Sequence, residues 1–185
     1  SEHLRLAGDI SAAEAAAREA VTIGLADQGP GADLTAWAES QLGAVLVDRG
    51  ELAAARPLLE RAEAVQRAAG GDDYPDRLES CARLGRLALR DGRAGEARDI
   101  LEDTLARRRV TFGPASLRTA ESLVDLADAL DPVADAVRRR ALLEEATEIF
   151  AAALPPDHLL LGAVGRRQGG VSTPSLRGPV VREQG

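Results

Sequence analysis

The charged residues with the most regular spacing are Glu79, Arg83, Arg86 and Arg90, which stand 4, 3 and 4 positions apart. At about 100° per residue on a helix they form one narrow stripe. Guanidinium groups in such a row favour bidentate contact with carboxylates, so the chemistry they offer is recognition of a polar, partly acidic partner. Residues for bond making are sparse. The only cysteine, Cys81, stands three positions before Leu84 on the apolar side of the same segment and reads as a small buried hydrophobe. His3 and His158 lie far apart and lack metal-ligand spacing, and the linker position of His158 suits a turn. The glycine pairs at 70–71 and 169–170 are loop punctuation, and the chain has no phosphate loop of the Walker type. The expectation is no catalytic residue, no metal site and no cofactor.

Composition narrows the scaffold that must hold such a stripe. The chain has 185 residues, enough for one domain or slightly more, with 45% apolar residues, 36 alanines and only 2% aromatics. Few aromatics argue against a sandwich or barrel, and abundant alanine argues for an all-α fold. All 23 basic residues are arginine, the net charge is −7 and the sequence pI is near 5.0. That balance argues against nucleic acid as a partner. No apolar run reaches the ~18–20 residues of a membrane span, and no signal-peptide pattern is present. A single cysteine suits a reducing cytoplasm.

An internal repeat of 42 residues supplies the elements. Gly8, Gly50 and Gly92 keep that period, followed at fixed offsets by Ala13, Ala55 and Ala97, then Ala17, Leu59 and Leu101. Leu42-Gly43 and Leu84-Gly85 precede the second and third glycines, and Gly29, Gly71, Gly113 and Pro155 mark a second turn. Each period resolves into two helices. First helices are predicted over 33–49, 76–91 and 116–130, and second helices over 11–26, 52–69, 94–110 and 137–153. Ser11 and Glu14 read as a capping box. The turn glycines suit helix ends that need positive φ. In the last copy Asp131-Pro132 replaces the turn, Ala134 stands in the glycine column and Arg139 in the small alanine column.

Leu-Gly, then Gly, Ala, Leu and Ala at these offsets resemble the tetratricopeptide repeat. The 42-residue spacing and the linkers around Tyr74, Phe112 and His158 are similar to its longer variant, known from kinesin light chains and bacterial regulatory proteins. The resemblance covers roughly residues 1–161: a partial repeat at 1–28, repeats at about 29–70, 71–112 and 113–154, and the start of another at 155–161. It implies a right-handed α-solenoid of antiparallel helix pairs whose first helices line a concave groove for peptides or partner helices. Residues 162–185, rich in glycine, proline and arginine, read as a flexible tail. Residues 1–7 read as the end of a first helix in which Leu4 takes the place of Leu46, so the natural protein is expected to continue upstream.

In such a groove the stripe has counterparts one repeat away. Trp37, Gln41, Ala44 and Asp48 precede it, and Glu121, Asp125 and Asp128 follow it. Related kinesin light chain repeats carry asparagine in the column that here holds Gln41, Arg83 and Asp125. Two readings of the charges stand side by side. Either they bind a partner, or Arg83 pairs with Asp125 and Arg86 with Asp128 across neighbouring helices. Trp37 is either an interface anchor or packed on the preceding linker. The function expected is a non-enzymatic protein-interaction scaffold, a fragment of a larger bacterial regulator, with self-association through its ends as a further contact. A spacer or oligomerisation segment, and an accessory region of a kinase or nucleotide-binding regulator, are the alternatives.

Overall fold

Eight helices make up residues 10–168, the part of the chain that the computed structural model describes, and these residues include no strand. The expectations for His3, Leu4 and the opening helix end fall outside the described residues, as does the tail from 169 onward. In chain order the helices are α1 (Ile10–Asp27), α2 (Asp33–Arg49), α3 (Leu52–Gly70), α4 (Pro75–Arg90), α5 (Ala94–Thr111), α6 (Leu117–Ala129), α7 (Ala136–Ala153) and α8 (Leu159–Arg167). Each packs mainly on the helices before and after it. Across pairs, α2 touches α4 and α4 touches α6 more extensively than second helices touch one another, which puts the first helices on the inner side of the stack.

Small residues set the distance between paired helices. A Cβ built on Gly43 would fall 2.6 Å from the Leu59 side chain, and one on Gly85 would fall 2.6 Å from Leu101. One repeat later Ala127 and Leu143 occupy these columns, and all the leucines and alanines involved are buried. Gly50 and Gly92 end their helices at φ of 80° and 77°, as the turn reading requires. The linkers are tied down by one recurring column: Thr35 Oγ1 donates to Gly29 O at 2.8 Å, Arg77 Nη1 to Asp72 O at 2.6 Å, and Thr119 Oγ1 to Gly113 O at 2.8 Å.

Three expectations change. The capping box is not used: Ser11 lies inside α1, and the Glu14 carboxylate pairs with Arg18 and Arg49. The break expected at residue 162 is not there, because α8 continues to Arg167. Val164 is buried against the α5–α7 core, and Arg167 clasps Asp128 through two 2.9 Å bonds from Nε, which offsets the weak helix propensity of Gly162 and Gly165. In the last pair Arg139 fills the small-residue column by reaching sideways. Its Nε donates to Ala127 O at 3.2 Å and its Nη1 to Arg167 O at 3.2 Å, so it joins α7 to the ends of α6 and α8. The Asp131 stop works as a side-chain cap, with Oδ1 accepting from the amides of Val133 and Ala134. Those two bonds hold its carboxyl below the ordinary range.

Candidate partner-binding groove

The stripe on α4 lies within the stack more than on its surface. Arg83 is only 3% exposed. Its Nη1 donates to Ser40 Oγ at 2.8 Å, its Nη2 to Gln41 Oε1 at 3.1 Å, and its Nε stands 3.3 Å from Glu79. Gln41 and Ala44 are also buried. Among the four stripe residues, Arg90 is the exposed one, Arg86 is intermediate and Glu79 lies mostly inside. Asp48 is exposed at the far end of α2.

The expected ion pairs exist in a shifted register. Arg86 Nε donates to Asp125 Oδ2 at 3.0 Å, not to Asp128, while Asp128 is held by Arg167. Arg83 turns back toward α2 rather than forward to Asp125. Three ion pairs between successive first helices share one separation of 39 residues: Glu79–Arg118, Arg86–Asp125 and Asp128–Arg167. The pairing sits three residues short of the 42-residue alignment. In each pair the residue on the earlier helix lies three positions past the one aligned with its partner, whichever of the two is the arginine, so neighbouring first helices meet about one turn out of the sequence alignment. The Asp125 carboxylate beside Arg86 holds that guanidinium firmly in its charged form.

Arg108 on α5 is the residue that the sequence reading passed over. It is fully buried. Its Nη2 donates to Glu79 Oε2 at 2.5 Å, and its Nη1 donates to Ser122 Oγ at 3.1 Å and to Arg118 O at 3.0 Å. It occupies a column with Gln66 and Phe150, and each member is buried. Ser80 and Ser122 form the facing column: Ser80 Oγ lies 2.7 Å from the Gln66 amide and 2.7 Å from Ser40 Oγ. Gln66, Ser80, Ser40, Arg83, Glu79, Arg108 and Ser122 therefore form one buried polar seam across α2 to α6. Burial alone would push the Glu79 carboxyl up, but Arg83, Arg108, Arg86 and Arg118 outweigh it and hold it at about 2.

A cleft of about 290 Å³ opens above this seam. Trp37, Gln41, Asp76, Glu79, Arg83, Arg118 and Glu121 line it, so it spans the first helices α2, α4 and α6. Trp37 is 42% exposed at this cleft. The structure thus brings Trp37, Gln41, Glu79, Arg83 and Glu121 together, and leaves Ala44, Asp48, Arg86, Arg90, Asp125 and Asp128 outside the cleft lining. Cys81 is half-buried, its thiol pushed up to about 11 by burial. His158 serves the turn, its Nδ1 accepting from the Leu160 amide at 3.2 Å. The described residues hold no group of three or more His, Cys, Asp or Glu side chains arranged for a metal, and no helix long and apolar enough to cross a membrane.

Residues 34–109 match the tetratricopeptide repeat family. No curated protein matches the chain. Among solved structures, the TPR-like repeats of a Podosopora anserina protein described as a kinesin light chain superpose with a TM-score of 0.66 at 22% identity, over 90% of this chain and 79% of that one. A variant of the same protein matches to the same extent. At that identity the likeness is one of fold, and it agrees with the consecutive packing of helix pairs. Residues 34–109 are thus similar to tetratricopeptide repeats, and the described helices share the fold of those repeat structures, a fold that generally serves as a scaffold for protein–protein contacts.

Proposed function

We propose that this chain is a non-enzymatic interaction module that holds an extended segment or helix of a partner protein on its concave face, over the Trp37 cleft. The observation that carries this reading is the exposure of Trp37 above a floor that the buried polar seam fixes in place. Exposed aromatic side chains on rigid floors are frequent interface anchors, because they give a large contact at low entropic cost. The partly acidic partner suggested by the arginine stripe finds less support, since Arg83 and Arg86 already serve other side chains. As its setting we propose a larger bacterial regulator in the cytoplasm, for which the arginine-only basic set and the single cysteine speak. Ile23 and Leu25, exposed on α1 at one end of the stack, are where self-association would act.

The test is selection of a displayed random peptide library on the whole chain. Selected peptides should alter the fluorescence of Trp37, the only tryptophan, and bind at least about tenfold more weakly to Trp37→Ala, as a hot-spot truncation implies. They should bind Arg138→Gln normally, because the Arg138–Glu102 pair joins two second helices. Peptides indifferent to Trp37→Ala would overturn the reading.

A further inference from the structure

We infer that the Trp37 cleft takes a cationic side chain of the partner, a guanidinium or ammonium group seated between the indole and the carboxylates of Asp76 and Glu121. The inference rests on the groove reading above and names the chemistry that the groove selects.

It follows from which charges in the cleft are already committed. Arg83 is bonded to Ser40 and Gln41 and paired with Glu79. Arg118 donates to Glu79 at 3.2 Å and lies over the Phe112 ring, 5.4 Å from its centroid. Glu79 in turn is surrounded by four guanidinium groups. Among the described residues the Asp76 carboxylate makes no hydrogen bond or ion pair, and Glu121 meets only Arg108 Nη1, at 4.0 Å, with its side chain 40% exposed. What remains for an incoming group is therefore one indole face and two carboxylates with little compensation.

Each class of visitor fares differently there. An acidic group would meet Asp76 and Glu121 while the nearby guanidiniums are already engaged. An apolar group would strip water from two carboxylates and return nothing. A cation gains twice, over the negative face of the indole and against the carboxylates. Burial supports the same choice: it pushes the Asp76 carboxyl up, with the Asp33 charge adding to it, and pushes Glu121 up, with Glu79 adding to it. Both carboxylates thus lie where a positive neighbour is most favourable.

Peptides selected on the whole chain for Trp37-dependent binding supply the probe. In each, every arginine is replaced by citrulline, which keeps the shape and removes the charge, and every lysine by norleucine. One such position should cost about tenfold in affinity for the native chain, and that cost should vanish in Asp76→Asn/Glu121→Gln. Glu121→Gln alone, at a half-exposed side chain, should reduce the cost while leaving the thermal melt unchanged. Trp37-dependent peptides that lack any basic residue, or a citrulline cost that survives in the double variant, would overturn the cationic assignment and leave the groove reading intact. A library that yields only peptides indifferent to Trp37→Ala would overturn both.

Discussion

Replacing Glu79 by glutamine keeps its shape and removes the charge on which Arg83, Arg86, Arg108 and Arg118 converge. In the folded chain that carboxyl is held at about 2, against 4.5 for an ordinary glutamate. At roughly 1.4 kcal/mol per unit of difference, this corresponds to about 3 kcal/mol of stability. Its side chain is 16% exposed, so solvent screening removes little of that. Glutamine also leaves the fully buried Arg108 with only the more distant Glu121, at 4.0 Å, as a counter-charge, and breaking a buried pair costs about 3–5 kcal/mol in comparable cases. The two routes describe the same interaction, and both place the loss for Glu79→Gln near 3 kcal/mol at neutral pH. The depressed carboxyl contributes fully above the unfolded value of 4.5 and loses its contribution as pH falls through about 2. The gap between native and variant should thus be full at neutral pH and narrow progressively below 4.5. Urea unfolding followed by far-ultraviolet circular dichroism, at neutral pH and near pH 3, reads both effects. A loss below about 1 kcal/mol at neutral pH, or a gap that does not narrow in acid, would refute the convergence of charges on Glu79.

Gly85→Ala should lower stability by about 1–3 kcal/mol, since its Cβ would fall 2.6 Å from Leu101 and overpack the α4–α5 contact; denaturant midpoints check it. A double-mutant cycle on Arg86 and Asp125 should show a coupling of about 1 kcal/mol, and the same cycle on Arg83 and Asp125 should show close to none. Cys81, with its thiol pushed up to about 11 by burial, should react with a disulfide reagent at mildly alkaline pH far more slowly in the folded chain than in urea.

The repeat made the scaffold readable because each column recurs under the same packing demand. The helix predicted over 33–49 is α2 to the residue, and the Gly43 and Gly85 columns face Leu59 and Leu101 as small residues beside large ones should. The site was less readable, for two physical reasons. A period identifies which residues share a face, but not how far neighbouring helices close over that face, and so the repeat alone puts Arg83 in open groove although it is buried against Ser40 and Gln41 of α2. Alignment by period also pairs residues at 42, whereas neighbouring first helices meet about one turn out of that alignment, at 39, so Asp125 pairs with Arg86 and not with Arg83. Arg108 gave no periodic signal because its column holds Gln66 and Phe150, three unlike side chains. The clue available was the facing column, where the small Ser80 and Ser122 leave room for a polar group to be buried. At the C-terminal end, the glycines and prolines from Gly165 onward read as a break, and the compensating Arg167–Asp128 contact is long-range and invisible to local propensity.

The proposed partner site is tested most directly by the indole N–H resonance of Trp37, the only tryptophan, in a nitrogen-15 spectrum of the whole chain titrated with a selected peptide. Binding over the cleft predicts that this resonance shifts and saturates together with amides near Asp76, Arg83 and Glu121 on α4 and α6. An unmoved indole, with shifts confined to the second helices α3 and α5, would contradict the account.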